Sequence, residues 1–218
     1  MKRRARDGFT LLELLLAVSI LSLITASIMG GIHLGARAWD TTRASESLDE
    51  VESAMRATAG LIGRGYSVST EQLQQQSTTE GPPPPFAGTA NAASFVALSE
   101  GGAQWGGLIL TEIGVDKGPE GSELAVWTRP YRPREGLAVG RGAMKKTVVL
   151  KNVAYFELSY FGAQQAQPGF GQQQRQPPAW SPAWASRTGL PELVSIKIGA
   201  NRLGQVIETQ ATVAIRQR

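Results

Sequence analysis

The 218-residue chain contains no cysteine and a single histidine, His33. The first absence excludes disulfides and thiolate metal sites. The second excludes a metal centre with several imidazole ligands and leaves no second imidazole for relay chemistry. Proline is absent before Pro82, so nothing in the first third of the chain forbids a long helix. Basic charge away from the N-terminus is also scarce in net terms. Of the formal +4, Lys2, Arg3, Arg4 and Arg6 against Asp7 supply +3 before residue 8. A basic pI therefore describes a short N-terminal tract, not a groove for nucleic acid, which needs charge spread over a folded face. Walker, Rossmann, HExxH and CxxC patterns are missing too, and a serine nucleophile would find no histidine base in the C-terminal part. Neither a cofactor nor an enzymatic activity is expected.

What the chain does have begins with a charge-free stretch. From Leu14 to Ala36 no Asp, Glu, Lys or Arg interrupts it, and about 20 predominantly apolar residues suffice for a helix to cross a bilayer. The basic tract before it places the N-terminus in the cytoplasm by the positive-inside bias and everything after Arg37 on the far side. Glu13 lies at the near end of the run, where a carboxylate is costly; such an acid points to a function and calls for a partner.

Arg6-Asp7-Gly8-Phe9-Thr10-Leu11-Leu12-Glu13-Leu14-Leu15 resembles the type III signal of type IV pilins and type II secretion pseudopilins. The resemblance covers about the first 35 residues. It implies cleavage between Gly8 and Phe9 by a prepilin peptidase, N-methylation of the new Phe9 amine by the same peptidase/methyltransferase, and Glu13 as the fifth residue of the mature chain. In a filament of stacked helices, that carboxylate would neutralise the buried amine of a neighbour. Two plainer readings compete. A secretory signal shares the basic start and apolar core, but Ala26-Ser27-Ile28-Met29-Gly30 makes a mediocre cleavage site. A simple signal anchor explains the span and leaves Gly8-Phe9 and Glu13 without a role.

Beyond the span, Ala44, Leu48, Val51, Met55, Ala59 and Ile62 recur in steps of four or three, one face of an α-helix. Glu52 and Arg56 stand in the favourable i, i+4 order. One helix is expected from Phe9 to about Ala59, ended by Gly60, Gly63 and Gly65. Adjacent Gly30 and Gly31 mark either a flexible joint or close packing against a neighbouring helix. His33 reads as an interfacial residue.

Residues 71–93 carry Gln74-Gln75-Gln76 and four consecutive prolines from Pro82 to Pro85, and read as a loop or linker. Short β-like runs follow at 94–99, 108–113, 124–129, 147–150, 153–161, 193–198 and 206–215, the last two joined by a turn within Ala200–Gly204. The expected fold class is α+β, a long helix packed on antiparallel sheet. The expected organisation is a leader at 1–8, a transmembrane segment at 9–36, an amphipathic helix at 37–65, a low-complexity linker at 66–93 and a β-rich domain at 94–218. Glu112, Asp116, Glu120 and Glu123 around Gly118 and Gly121 are either a solvated hairpin loop, the favoured reading, or oxygen ligands for Ca²⁺. In the Gln, Gly and Pro-rich stretch 162–187, Trp180 and Trp184 either anchor a protein contact or fold back over the sheet.

The long C-terminal half, the tryptophan-bearing loop and Leu190-Pro191-Glu192-Leu193-Val194-Ser195-Ile196-Lys197-Ile198 resemble the J-type minor pseudopilins of type II secretion. That resemblance implies a periplasmic domain on a single inner-membrane span. It further implies partnership with I-type and K-type minor pseudopilins, with the H-type and major pseudopilins as further candidates. The nearest rival is a minor pilin of a type IV pilus or competence system, and a single-span periplasmic binding module or hydrolase is the alternative of another class. Mass analysis of the protein purified from membranes separates the readings of the N-terminus. The expected result is a chain beginning at N-methylated Phe9; a start near residue 30 or an intact leader contradicts it.

Overall fold

The computed structural model describes residues 10–66, 85–99, 107–119, 121–132, 137, 140–163, 177–186 and 189–215. Helix α1 runs over Leu11–Ile62, and the chain forms two compact units that meet within it, Met1–Glu46 and Ser47–Arg218.

In the first unit the helix starts at Thr10, whose hydroxyl accepts the Glu13 amide at 3.3 Å, an N-cap bond to the third helical residue. No proline interrupts it, and three of its hydroxyl side chains in the apolar run bond to their own helix: Ser19 donates to the Leu15 carbonyl, Ser22 to Val18 and Thr25 to Leu21. Every residue from Leu11 to Glu46 is exposed. The helix passes unbroken through Gly30 and Gly31, where an added Cβ would meet nothing.

In the second unit the helix becomes one-sided. Val51, Ala54, Met55, Thr58 and Ile62 are buried, a stripe with steps of three and four. The expected face is present from Val51 onward, whereas Ala44 and Leu48 remain exposed. Gly60 lies inside the helix and does not end it. The end falls at Gly63 and Gly65, where a Cβ would press on Val213 and Ile215 at 3.2 Å, so the helix terminus approaches the last strand closely.

Among the described residues nine antiparallel strands follow: β1 (Phe86–Gly88), β2 (Ala92–Leu98), β3 (Leu108–Gly118), β4 (Gly121–Pro130), β5 (Lys145–Leu150), β6 (Val153–Gly162), β7 (Ala179–Ser181), β8 (Leu193–Arg202) and β9 (Gln205–Ala214). They make two sheets, ordered β1-β2-β3-β4-β5 and β7-β6-β8-β9. The chain changes sheet at Lys151-Asn152, with Asn152 in the left-handed region at φ 54°. This is the α+β, pilin-like architecture of a long helix on antiparallel sheet. One core unites Val51, Met55 and Ile62 of the helix with Phe95, Ile113 and Leu124 of the first sheet and Phe156, Ile196 and Ile198 of the second.

The described strands begin at Phe86, eight residues earlier than the composition implies. Within the stretch expected to be linker, Phe86 is fully buried, stacked on Phe95 at 5.4 Å and edge-on to Tyr160 at 5.7 Å. The hairpin between β1 and β2 also ties the sheets together. Tyr160 donates its hydroxyl to the Thr89 carbonyl at 2.8 Å, and the Leu158 amide donates to Ala90 at 2.7 Å. A Cβ on Gly88 would fall 2.3 Å from the Tyr160 ring, so only glycine allows this approach.

The last hairpin turns through two residues, Leu203 and Gly204, between the paired Arg202 and Gln205. Both have positive φ, 51° and 78°. A leucine there carries the left-handed cost of roughly 1–2 kcal/mol that asparagine largely avoids. Leu203→Asn is therefore expected to raise unfolding free energy by about 1 kcal/mol in urea titration of the full chain, with the fold unchanged.

Candidate functional site: the N-terminal helix and the aromatic and charged surface of the sheets

Glu13 sits in the first turn of α1 and is exposed. Gly8 and Phe9, the expected cleavage and methylation positions, lie outside the described residues. The spacing of Thr10 and Glu13 is that of a capping box, [ST]-x-x-[DE] before an apolar run, and the Thr10 half of it is formed. Thr10 was therefore legible as the helix start. A carboxylate at this place interacts favourably with the helix dipole as well as with any cation brought to it.

The two tryptophans separate. Trp184 is buried: its indole N–H donates to the Gly189 carbonyl at 3.1 Å, and its backbone exchanges two hydrogen bonds with Gly88, at 2.8 and 2.9 Å. Gly162 makes room for the ring, since a Cβ there would stand 2.7 Å from it. Trp180, on the short edge strand β7, is 50% exposed and packs on Phe161 with ring centroids 5.4 Å apart. Of the pair, Trp180 alone presents a ring to solvent.

The acids of the β3–β4 hairpin are engaged by cations. Arg141 donates to Glu112 at 2.8 Å while its guanidinium lies 4.0 Å over the Trp127 ring. Lys146 reaches Asp116 at 2.7 Å and Glu123 at 3.4 Å. Glu120 lies outside the described residues. The hydrogen bond from Lys146, with a second from the Lys117 backbone, holds the Asp116 carboxyl below the usual carboxylate range. The same bond to Asp116 pushes Lys146 up. Strand pairing positions the group: Glu112 faces Trp127 across β3 and β4, and Trp127 faces Lys146 across β4 and β5. Among the described residues no three of His, Cys, Asp and Glu converge as a metal site. Sequence reasoning missed Arg141 as the partner of Glu112, because the two are 29 residues apart and meet only when the chain after β4 folds back.

Residues 3–29 match the family described as the prokaryotic N-terminal methylation motif. No curated protein matches the chain significantly. The motif is prepilin-type; together with the helix-on-sheet architecture it supports a type IV pilin-like protein. Such proteins serve type II secretion or type IV pili, and the motif's family is structural. The motif implies processing by a prepilin peptidase, and with the single apolar N-terminal helix it fits a membrane-anchored protein.

Two outcomes follow from these contacts. Trp184→Ala is expected to lower unfolding free energy by roughly 3–5 kcal/mol, the usual cost of emptying a buried aromatic site, while Trp180→Ala changes it by less than about 1 kcal/mol; denaturant titration reads both. Because folding lowers the Asp116 pKa from its ordinary 3.8, its contribution is fully present above that value. It disappears as pH falls through the lowered one. Lys146, raised from 10.5, contributes below that pH and loses its contribution as pH rises through the raised value. Asp116→Asn should flatten the acid limb of a stability-against-pH curve measured below pH 4, leaving stability there closer to its neutral-pH value.

Proposed function

We propose that the chain is a minor pseudopilin of the type II secretion system, of the J-type, acting as a structural subunit of the pseudopilus tip and not as a catalyst. The observation that carries this reading is a methylation motif that runs into the first turns of a helix that buries nothing up to Glu46. Such a helix asks for lipid first and for other helices afterwards. In this account residues 1–8 are the leader, removed between Gly8 and Phe9, and Phe9 is methylated. The segment 9–36 spans the inner membrane with its N-terminus in the cytoplasm, and residues 94–218 lie in the periplasm with the amphipathic helix 37–65 before them. I-type and K-type subunits are the partners, with the H-type and the major pseudopilin adjoining. Trp180, exposed on the edge strand, is a candidate contact for them.

The chemistry at Glu13 supports assembly by charge pairing. A new amine at Phe9, carried into a packed bundle of apolar helices, needs an anion, and Glu13 of an adjacent subunit stands four residues along. Removing one member of a buried pair costs roughly 3–5 kcal/mol. Glu13→Leu is therefore expected to leave insertion and leader removal intact and to lower incorporation into the tip complex at least about 100-fold. Recovery of the variant with its partners at the native level contradicts the assignment. A deletion strain decides between this reading and a minor pilin of a type IV pilus or competence system. Loss of exoprotein secretion with surface pili and DNA uptake intact supports the pseudopilin; the reverse supports the pilin.

A further inference from the structure

Trp39 is the only tryptophan among the described residues up to Glu46, and it is 66% exposed on a helix with no partner there. It follows the charge-free stretch by three residues, with Arg37 two positions before it and Asp40 directly after. An indole has an apolar body and one N–H donor, and it partitions to the headgroup layer of a bilayer, as does an arginine whose aliphatic stem can lie along lipid. We propose that Trp39 and Arg37 are an interfacial anchor for the headgroup layer of one leaflet, and that they hold Glu13 at the headgroup layer of the other. The proposal deepens the membrane-anchor reading and rests on it.

The helix is continuous from Glu13 to Trp39, so the two lie about 39 Å apart along its axis at about 1.5 Å per residue. A bilayer measures about 30 Å across its hydrocarbon and about 40–45 Å with its headgroups. Glu13 and Trp39 therefore fit at opposite interfacial layers simultaneously, with only uncharged residues between Leu14 and Ala36 in the hydrocarbon. Three of the four hydroxyls within that interval are already satisfied, since Ser19, Ser22 and Thr25 each donate to a carbonyl one turn earlier. The competing register centres the leucine-rich first part of the helix, near residue 20. It would leave Glu13 roughly 10 Å from the midplane and Trp39 roughly 28 Å beyond it in water, which exposes the indole and buries the acid, both unfavourable. In the anchored register, Glu13 meets a dry environment only when the subunit leaves the bilayer for its partners.

The absence of native cysteine makes the register directly measurable. Single cysteines introduced one at a time between Leu14 and Asp40 of the full chain are spin-labelled and reconstituted in vesicles of phosphatidylcholine and phosphatidylglycerol. Immersion depth is then read from the balance of oxygen and nickel-complex relaxation. The expected maximum lies at about residue 26, midway between Glu13 and Trp39. Trp39→Ala combined with Arg37→Ala should move that maximum toward residue 20, with helicity by circular dichroism unchanged. A native maximum at about residue 20, or one that stays in place in the double variant, overturns the anchor while leaving the membrane reading intact. Labels that show no immersion at any position overturn the membrane reading and the anchor with it.

Discussion

An α-helix satisfies its own backbone, but it cannot by itself cover the twenty apolar side chains between Leu11 and Glu46. From Leu11 to Glu46 every side chain is exposed, and most of those before Arg37 are leucine, isoleucine, valine, alanine or glycine. At about 25 cal/mol per Å² of apolar surface, leaving that area in water is prohibitive. The helix must therefore be covered, by lipid or by other helices. The second unit meets no such demand, because Val51, Met55 and Ile62 are covered by strands of both sheets. This difference between the two stretches of one helix fits a membrane-anchored protein.

The domain built on the second stretch is held together at a few specific places. The β1–β2 hairpin joins the two sheets through Tyr160 and Leu158, and Trp184 is locked by Gly88, Gly162 and Gly189. Arg202 of β8 reaches Glu50 of the helix at 2.9 Å, so the final hairpin is tied to α1 by charge as well as by packing. The outer face of the first sheet carries the Glu112, Arg141, Trp127 and Lys146 ladder, in which each cation has a carboxylate and the shared indole within reach. The described acids Glu112, Asp116 and Glu123 are thereby held by Arg141 and Lys146.

Much of this was legible in the sequence because the signals are local and periodic. The charge-free run and the stripe from Val51 to Ile62 are each set within a few turns of helix. The longer strands also stood out; β8 and β9 alternate or are continuously apolar, and their turn fell inside the expected five residues. What escaped was set by distant partners. β1 and β7 have three residues each, too few for a period, and they are strands only because β2 and β6 pair with them. Phe86 stands directly after four prolines, and its burial depends on rings 9 and 74 positions away at Phe95 and Tyr160. Trp180 and Trp184 lie in one stretch of like composition and differ in fate, since the Trp184 ring has Gly162 beside it to open a slot.

In the proposed function Glu13 links the membrane-bound and the assembled subunit. At the helix start its carboxylate complements the dipole and the Thr10 cap; in the proposed assembly it would be the counter-charge for the Phe9 amine. Capture of the full chain from native membranes in mild detergent, with its partners identified by mass spectrometry, tests this most directly. The account predicts companion subunits in fixed stoichiometry, each beginning at a methylated residue behind its own removed leader. A chain recovered alone, with a soluble domain that turns over a substrate unaided, would contradict it.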